Sequence, residues 1–124
     1  MTADLREYFE EYGRAHDVFD IKRIVSFFHC PMLTIRQGKV ILLDTPAEIL
    51  EFYSKLLDGY REMKLARAVI SSFATRPVGP NGAIVDILWS PSRADGSVIT
   101  RFHQVYNLVS VDGKWRIAVS TRVE

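Results

Sequence analysis

The chain has 124 residues, 48% hydrophobic and 25% charged, with a formal net charge of +1. That length suits one domain, 1–124, able to bury a core without a metal or disulfide staple; the near-neutral charge excludes the broadly basic footprint of a nucleic-acid binder. The single cysteine, Cys30, excludes an intramolecular disulfide, and no apolar run approaches the ~20 residues of a membrane span.

The opening Met-Thr-Ala-Asp-Leu-Arg lacks the basic-then-apolar order of a signal peptide, so the expected location is cytoplasmic. Leu5, Tyr8, Phe9 and Tyr12 recur at i, i+3, i+4 and i+7, which predicts an amphipathic helix over 3–15 with Gly13 weakening its end. His16, beside Asp17 at that end, is expected to face solvent. Asp20 reads as the N-cap of a second, short helix carrying Ile21, Ile24, Val25 and Phe28. His29-Cys30-Pro31 ends it, because proline disfavours helix in the residue before it. Cys30, among apolar neighbours, is expected to be a buried thiol rather than a nucleophile.

Residues 32–36 and 40–43 read as short strands turning at Gly38 and Lys39. Thr45-Pro46-Ala47-Glu48 is the clearest local signal. Thr45 caps, Pro46 suits the first helical position, and Glu48 completes a capping box. Ile49, Tyr53, Leu56, Leu57 and Tyr60 then follow helical spacing to about residue 62, or to Gly59. The rest is β: strands at 66–77, 83–90, 97–111 and 114–122. Turns are expected at Gly79-Pro80-Asn81-Gly82, around Ala94-Asp95-Gly96, and at Asp112-Gly113, a type I′ signal.

A two-residue Asp112-Gly113 turn pairs Val111 with Lys114, Leu108 with Ile117 and Tyr106 with Val119. Phe102, Gln104, Tyr106 and Leu108 then share an apolar face with Trp115, Ile117 and Val119. Arg101, His103, Asn107, Arg116, Ser120 and Arg122 take the other. A similar turn at Asp95-Gly96 adds Val85, Ile87 and Trp89 to the apolar face and Asp86 to the polar one. The apolar face should cover the helices. Gln104 and Tyr106 bring polar groups onto it, either as a satisfied core pair or as the lining of a cavity that orients a ligand.

Three helices, a strand pair around the third, then a long sheet closing on Asp112-Gly113-Lys114-Trp115-Arg116-Ile117: this order resembles the nuclear transport factor 2-like superfamily, as do Phe28 through Pro31 before the first strand and Gly96 opening the long one. The final motif resembles the branch with polyketide-cyclase-like proteins and kinase association domains. The resemblance implies a cystatin-like α+β cone, with three N-terminal helices packed in the concavity of a strongly curved, mainly antiparallel sheet. It further implies a pocket at the open end and, in many members, a homodimer through the outer sheet face. The superfamily hosts isomerases, dehydratases, hydrolases, cyclases and non-catalytic assembly domains, so fold alone does not assign activity.

The known chemistries match poorly. A ketosteroid-isomerase-like site would need a carboxylate where 32–36 offers Thr34 and Arg36; Asp44 falls in a turn, and Tyr12 could mimic the helical tyrosine but is as readily a core residue. An epoxide-hydrolase-like site would need Arg-x-Asp where the chain has Arg101-Phe102-His103. A dehydratase-like His/Asp pair could be His103 with Asp86, the two candidate catalytic residues, although a surface ion pair or a polar contact at a dimer seam explains them better. No His/Cys/Asp/Glu group has metal-ligand spacing and no phosphate loop or nucleophile elbow is present, so no cofactor is expected. The expected pocket residues are Tyr12, Tyr53, Trp89, Gln104 and Tyr106, around a small apolar ring-like ligand bound by a lyase or isomerase, or by a protein without activity. The alternative is an assembly module whose seam holds Val105, Val109 and Ala118 among Arg101, His103 and Asn107.

Overall fold

A computed structural model describes residues 2–123. Three helices, α1 (Thr2–Asp17), α2 (Ile21–Ser26) and α3 (Pro46–Glu62), combine with six strands. The strands are β1 (Phe28–Arg36), β2 (Lys39–Leu43), β3 (Arg67–Pro77), β4 (Gly82–Ser92), β5 (Phe102–Val111) and β6 (Lys114–Val123). They form one open sheet in the order β2-β1-β6-β5-β4-β3. Only the β1–β6 pair is parallel. This is the expected α+β architecture, with the helices against one face of a mainly antiparallel sheet.

Local chemistry accounts for most element ends. Thr45 Oγ1 accepts from the Glu48 N–H at 3.2 Å while Glu48 reaches back to the Thr45 N–H at 3.1 Å, a complete capping box with Pro46 at the first helical position. Asp20 caps α2 by accepting from the Arg23 N–H. Asp112 and Gly113 both take positive φ, 52° and 75°, as a type I′ hairpin requires. Gln37 and Gly38, at 51° and 74°, do the same between β1 and β2, one residue earlier than expected.

The helix faces and the inner sheet face share one core. Leu5, Phe9 and Tyr12 of α1 and Ile49, Tyr53 and Leu57 of α3 meet Val85, Ile87 and Trp89 of β4, Tyr106 and Leu108 of β5, and Ile117 of β6. Gly13, far from loosening α1, is buried where the helix crosses the sheet; a Cβ there would lie 3.4 Å from the Ala68 carbonyl oxygen and 3.5 Å from the Trp89 ring. The helix runs on to Asp17, whose carboxylate accepts from the Ala68 N–H at 2.6 Å and ties α1 to β3.

Several expectations require correction. α2 stops at Ser26 because Phe28 belongs to β1, opposite Ile117, with its ring stacked on Tyr53 at 4.5 Å. Cys30 is exposed, not buried; its thiol donates to the Asp44 carbonyl at 3.3 Å. It lies beside the cis Cys30–Pro31 peptide, in the stretch between Phe28 and Leu33 where the register with β6 shifts and strict inward–outward alternation fails. Residues 97–101 precede β5 rather than forming its start, held by a single bridge between Ser92 and Val98.

The largest correction concerns β6. Val111 pairs with Lys114 and Leu108 with Ile117 as expected, but Asn107 then pairs with Val119 and Tyr106 with Ser120. One extra residue, Ala118, is inserted as a β-bulge. Beyond it Val119 turns outward, while Ser120 and Arg122 turn inward. Further register shifts occur in β3 between Ile70 and Ser72 and in β1. Bulges bend strands and increase their twist, which is how this sheet curls around the helices.

Candidate functional site

The concave face is not completely filled. A cavity of about 100 Å³ lies between α1, α3 and the sheet. Its base is made by buried aromatic rings, Tyr12 from α1, Tyr53 from α3, Trp89 from β4 and Tyr106 from β5. Its rim is made by half-buried residues, among them Arg36, Tyr60, Phe102, Gln104 and Arg122. All five residues expected to line a pocket, Tyr12, Tyr53, Trp89, Gln104 and Tyr106, stand on its wall. Three inward-facing pairs of β4 and β5 match the expected register, with Val85 opposite Tyr106, Ile87 opposite Gln104 and Trp89 opposite Phe102.

The polar groups of the wall are organised in pairs. The Trp89 indole N–H donates to the Tyr106 hydroxyl at 2.9 Å, in full burial. The Gln104 side-chain amide donates to the Ser120 hydroxyl at 2.7 Å. The two readings of Gln104 are therefore not exclusive: its amide has a partner and the residue still lines the cavity. Thr34 and Ser120 are buried beside the Tyr53 hydroxyl. Burial holds the Tyr12, Tyr53, Tyr60 and Tyr106 hydroxyls above the ordinary phenol range, so all four keep their protons at neutral pH. Hydrogen bonding from Trp89 opposes that shift at Tyr106 without cancelling it.

Five polar wall residues were not foreseen: His16, Thr34, Arg36, Ser120 and Arg122. His16 is half-buried rather than solvent-facing; it follows Tyr12 by one helical turn, and their ring centroids lie 4.6 Å apart. Its Nδ1 lies 2.8 Å from the Tyr12 carbonyl oxygen. A carbonyl only accepts, so Nδ1 carries the proton and Nε2 is the basic nitrogen of the neutral ring. Desolvation keeps the ring neutral, lowering its pKa below 6.5, with the Tyr12 carbonyl pulling weakly the other way. Ser120 and Arg122 arrive through the Ala118 bulge, and Arg36 through the β1 alternation that buries Met32 and Thr34. The Arg122 guanidinium sits 4.4 Å above the Phe102 ring. None of the lining residues is Asp or Glu.

The two candidate catalytic residues do meet, but elsewhere. His103 Nδ1 lies 3.1 Å from Asp86 Oδ1. Both side chains are half exposed, at 51% and 50%, and both project from the convex face of the sheet. Arg101 is exposed just before β5. The pair therefore has neither a shared enclosure nor contact with the cavity, as in a surface polar contact. Among the described residues no group of three or more His, Cys, Asp or Glu is placed to hold a metal ion. None of their helices is long and apolar enough to cross a membrane.

A family model described as "NTF2-like protein (DUF6841)" matches residues 3–124. The chain belongs to this NTF2-like family. Solved structures agree on the fold. A Nostoc punctiforme protein of unknown function with a cystatin-like fold superposes with a TM-score of 0.78 at 11% identity, covering 98% of this chain and 88% of that one. An NTF2-like protein of unknown function from Shewanella oneidensis gives 0.74 at 16% identity, covering 99% and 98%. The association domain of Caenorhabditis elegans CaMKII gives 0.72 at 14% identity, covering 99% and 95%. No curated protein sequence matches the chain. At these identities the likeness is one of fold, and the NTF2-like family leaves the activity to be argued from the cavity.

Proposed function

We propose that this NTF2-like chain is a small-molecule-binding protein whose ligand, a compact apolar ring, seats in the cone's cavity. The carrying observation is the open cavity itself, walled by four buried aromatic residues and by polar groups already oriented through Trp89–Tyr106 and Gln104–Ser120. A core built only for stability packs to crystal-like density and leaves few voids larger than a water. An apolar cavity of ~150 Å³ suffices to hold benzene; this one, at about 100 Å³, is smaller but unsealed, so a ring can extend toward the rim. If the ligand is transformed, the step belongs to the lyase or isomerase class. It would turn on His16, the one imidazole on the cavity wall, whose unprotonated Nε2 could take a proton from the ligand.

The test is a thermal-shift screen with small ring compounds, because a ligand selective for the native state raises the melting temperature. A binder should lose its effect in Gln104→Leu while that variant melts normally without ligand. A screen in which nothing shifts the transition removes the reading; an unchanged response in the variant removes Gln104 from the site.

A second reading rests on the convex face, which supports self-association and is compatible with the first. Leu42, Leu33 and Val119 form one cross-strand row there, and Val40, Ile35, Thr121 and Val105 form the next. Val40 and Leu42 are 63% and 56% exposed. This apolar patch differs from the expected seam, because the bulge at Ala118 brings Val119 and Thr121 outward and extends the patch onto β1 and β2. Light scattering that shows a monomer at micromolar concentration would contradict it.

A further inference from the structure

We propose that the ligand of the cavity is an uncharged ring bearing a hydrogen-bond donor, a hydroxyl or a ring N–H, and that Nε2 of His16 accepts that bond and selects for it. This deepens the ligand-binding reading and rests on it.

His16 belongs to the last turn of α1, one turn beyond Tyr12. Its ring is fixed on two sides. Nδ1 lies 2.8 Å from the Tyr12 carbonyl oxygen, and the two rings meet edge to face at 61° with centroids 4.6 Å apart. The helix end that carries it is anchored in turn. The Asp17 carboxylate accepts from the Ala68 N–H at 2.6 Å, and the Asp20 N–H donates to the Ala15 carbonyl at 2.9 Å. Turning the ring over would sacrifice the bond from Nδ1, so Nε2 presents one lone pair in one direction.

That lone pair is unclaimed. Nε2 makes no hydrogen bond among the described residues, yet it is not sealed: the one sealed side-chain nitrogen or oxygen without a partner among them is Thr75 Oγ1. Nε2 therefore keeps accessible surface, and the residue lines the cavity. The indole N–H and the amide of the same wall are already engaged, with the Tyr106 and Ser120 hydroxyls. Desolvation lowers the His16 pKa and keeps the ring neutral at pH 7, so at Nε2 it can only accept.

The charge of the missing donor follows from these surroundings. A carboxylate brings no proton to Nε2. An ammonium brings protons but meets no counter-charge, because none of the lining residues is Asp or Glu. A neutral hydroxyl or ring N–H is the donor that remains, and the aromatic wall receives the body that carries it. Selectivity comes from the asymmetry of hydrogen bonding. A ring without the donor displaces water from Nε2 and leaves it unpaired, which is the unfavourable case.

The test uses matched rings that differ in the donor: phenol and fluorobenzene, 4-ethylphenol and 1-ethyl-4-fluorobenzene, indole and benzofuran. Each is titrated calorimetrically at neutral pH into the wild-type chain and into His16→Phe. The expected result is at least one pair in which the donor ring binds about tenfold or more tightly than its partner, with that ratio falling to near one in His16→Phe. A second readout needs no variant. In long-range proton–nitrogen correlation spectra of the wild type, the donor ring should shift the His16 Nε2 signal saturably and its partner should not. A residue that merely braced α1 would change the melting temperature when replaced, without separating the members of a pair. Equal binding within every pair, a ratio that survives in His16→Phe, or an Nε2 signal that stays still while a donor ring saturates the cavity would overturn the acceptor role and leave the binding reading intact. Failure of all six compounds to bind would overturn both.

Discussion

Replacing Tyr106 by phenylalanine isolates the hydrogen bond at the base of the cavity. The change removes one oxygen and leaves the Trp89 N–H, fully buried in the native state, without its acceptor at 2.9 Å. An unsatisfied buried donor costs about 1–3 kcal/mol. Water entering from the adjoining cavity can replace part of the lost bond, so the expected loss is about 1–2 kcal/mol. With an unfolding entropy of ~2.1 cal/mol/K per residue, one kcal/mol corresponds to about 4 °C for a chain this long, so the melting point should fall by about 4–8 °C. The packing change at Trp89→Phe confounds that single variant, and a double-mutant cycle removes the confound. Chemical denaturation of the wild type, both single variants and the double variant should show a coupling of at least ~1 kcal/mol. Additivity within ~0.3 kcal/mol would refute the bond's energetic role.

Stability should also depend on His16. Its folded pKa is depressed below 6.5 by desolvation, so below that pH the unfolded chain takes up a proton that the folded one refuses. Stability is then fully present above pH 6.5 and is lost as pH falls toward the folded pKa; His16→Gln should flatten that slope in denaturation curves measured over this range. Thr45→Ala, which removes the capping box of α3, should cost about 1 kcal/mol in the same assay. Asp86→Asn should change stability by less than ~1 kcal/mol, because its partner His103 is a half-exposed surface contact. A larger loss would mean that the convex-face pair supports more than a surface contact does. Val119→Asp should weaken self-association in sedimentation velocity without altering the circular dichroism spectrum, and an unchanged sedimentation coefficient would count against the convex-face seam.

The parts of the fold that could be read in advance are those encoded by adjacent residues. Thr45 and Glu48 are three apart and form their capping box from local geometry alone. Asp112-Gly113 sets a hairpin register that holds through Leu108 and Ile117, because type I′ turns impose a two-residue loop. The β4–β5 register matches the one a two-residue Asp95-Gly96 turn would impose, which puts Trp89, Gln104 and Tyr106 on one face, but the loop itself has three residues: the Arg93 N–H donates to the Ser97 carbonyl, Ser92 bridges Val98, and a one-residue offset before β5 restores the register.

What stayed hidden lies beyond the reach of local signals. Nothing about Ala118 marks it as a bulge, since any small residue can fill that role and the deciding forces are the curvature of the sheet and the packing on either side. Yet that one residue exchanges the faces of everything after it, and with them Ser120 and Arg122, the two β6 residues on the cavity wall. Cys30 was misplaced for a similar reason, since its exposure follows from an irregular segment of β1. The placement of His16, by contrast, has a local signal. It follows Tyr12 at i+4, on the face of α1 that packs against the core, and the expectation that α1 ended at residue 15 concealed it.

The central claim, that the cavity receives a ligand, is tested most directly by nuclear magnetic resonance of the indole N–H groups during titration with ring compounds. The chain has two tryptophans, and only Trp89 lines the cavity; Trp115 packs on the opposite stretch of β6. The account predicts that a binding compound shifts the Trp89 indole signal saturably, together with the Gln104 side-chain amide, and leaves Trp115 unmoved. Saturable binding that moves Trp115 while Trp89 stays still, or a Trp89 signal indifferent to every ring compound at millimolar concentration, would contradict it.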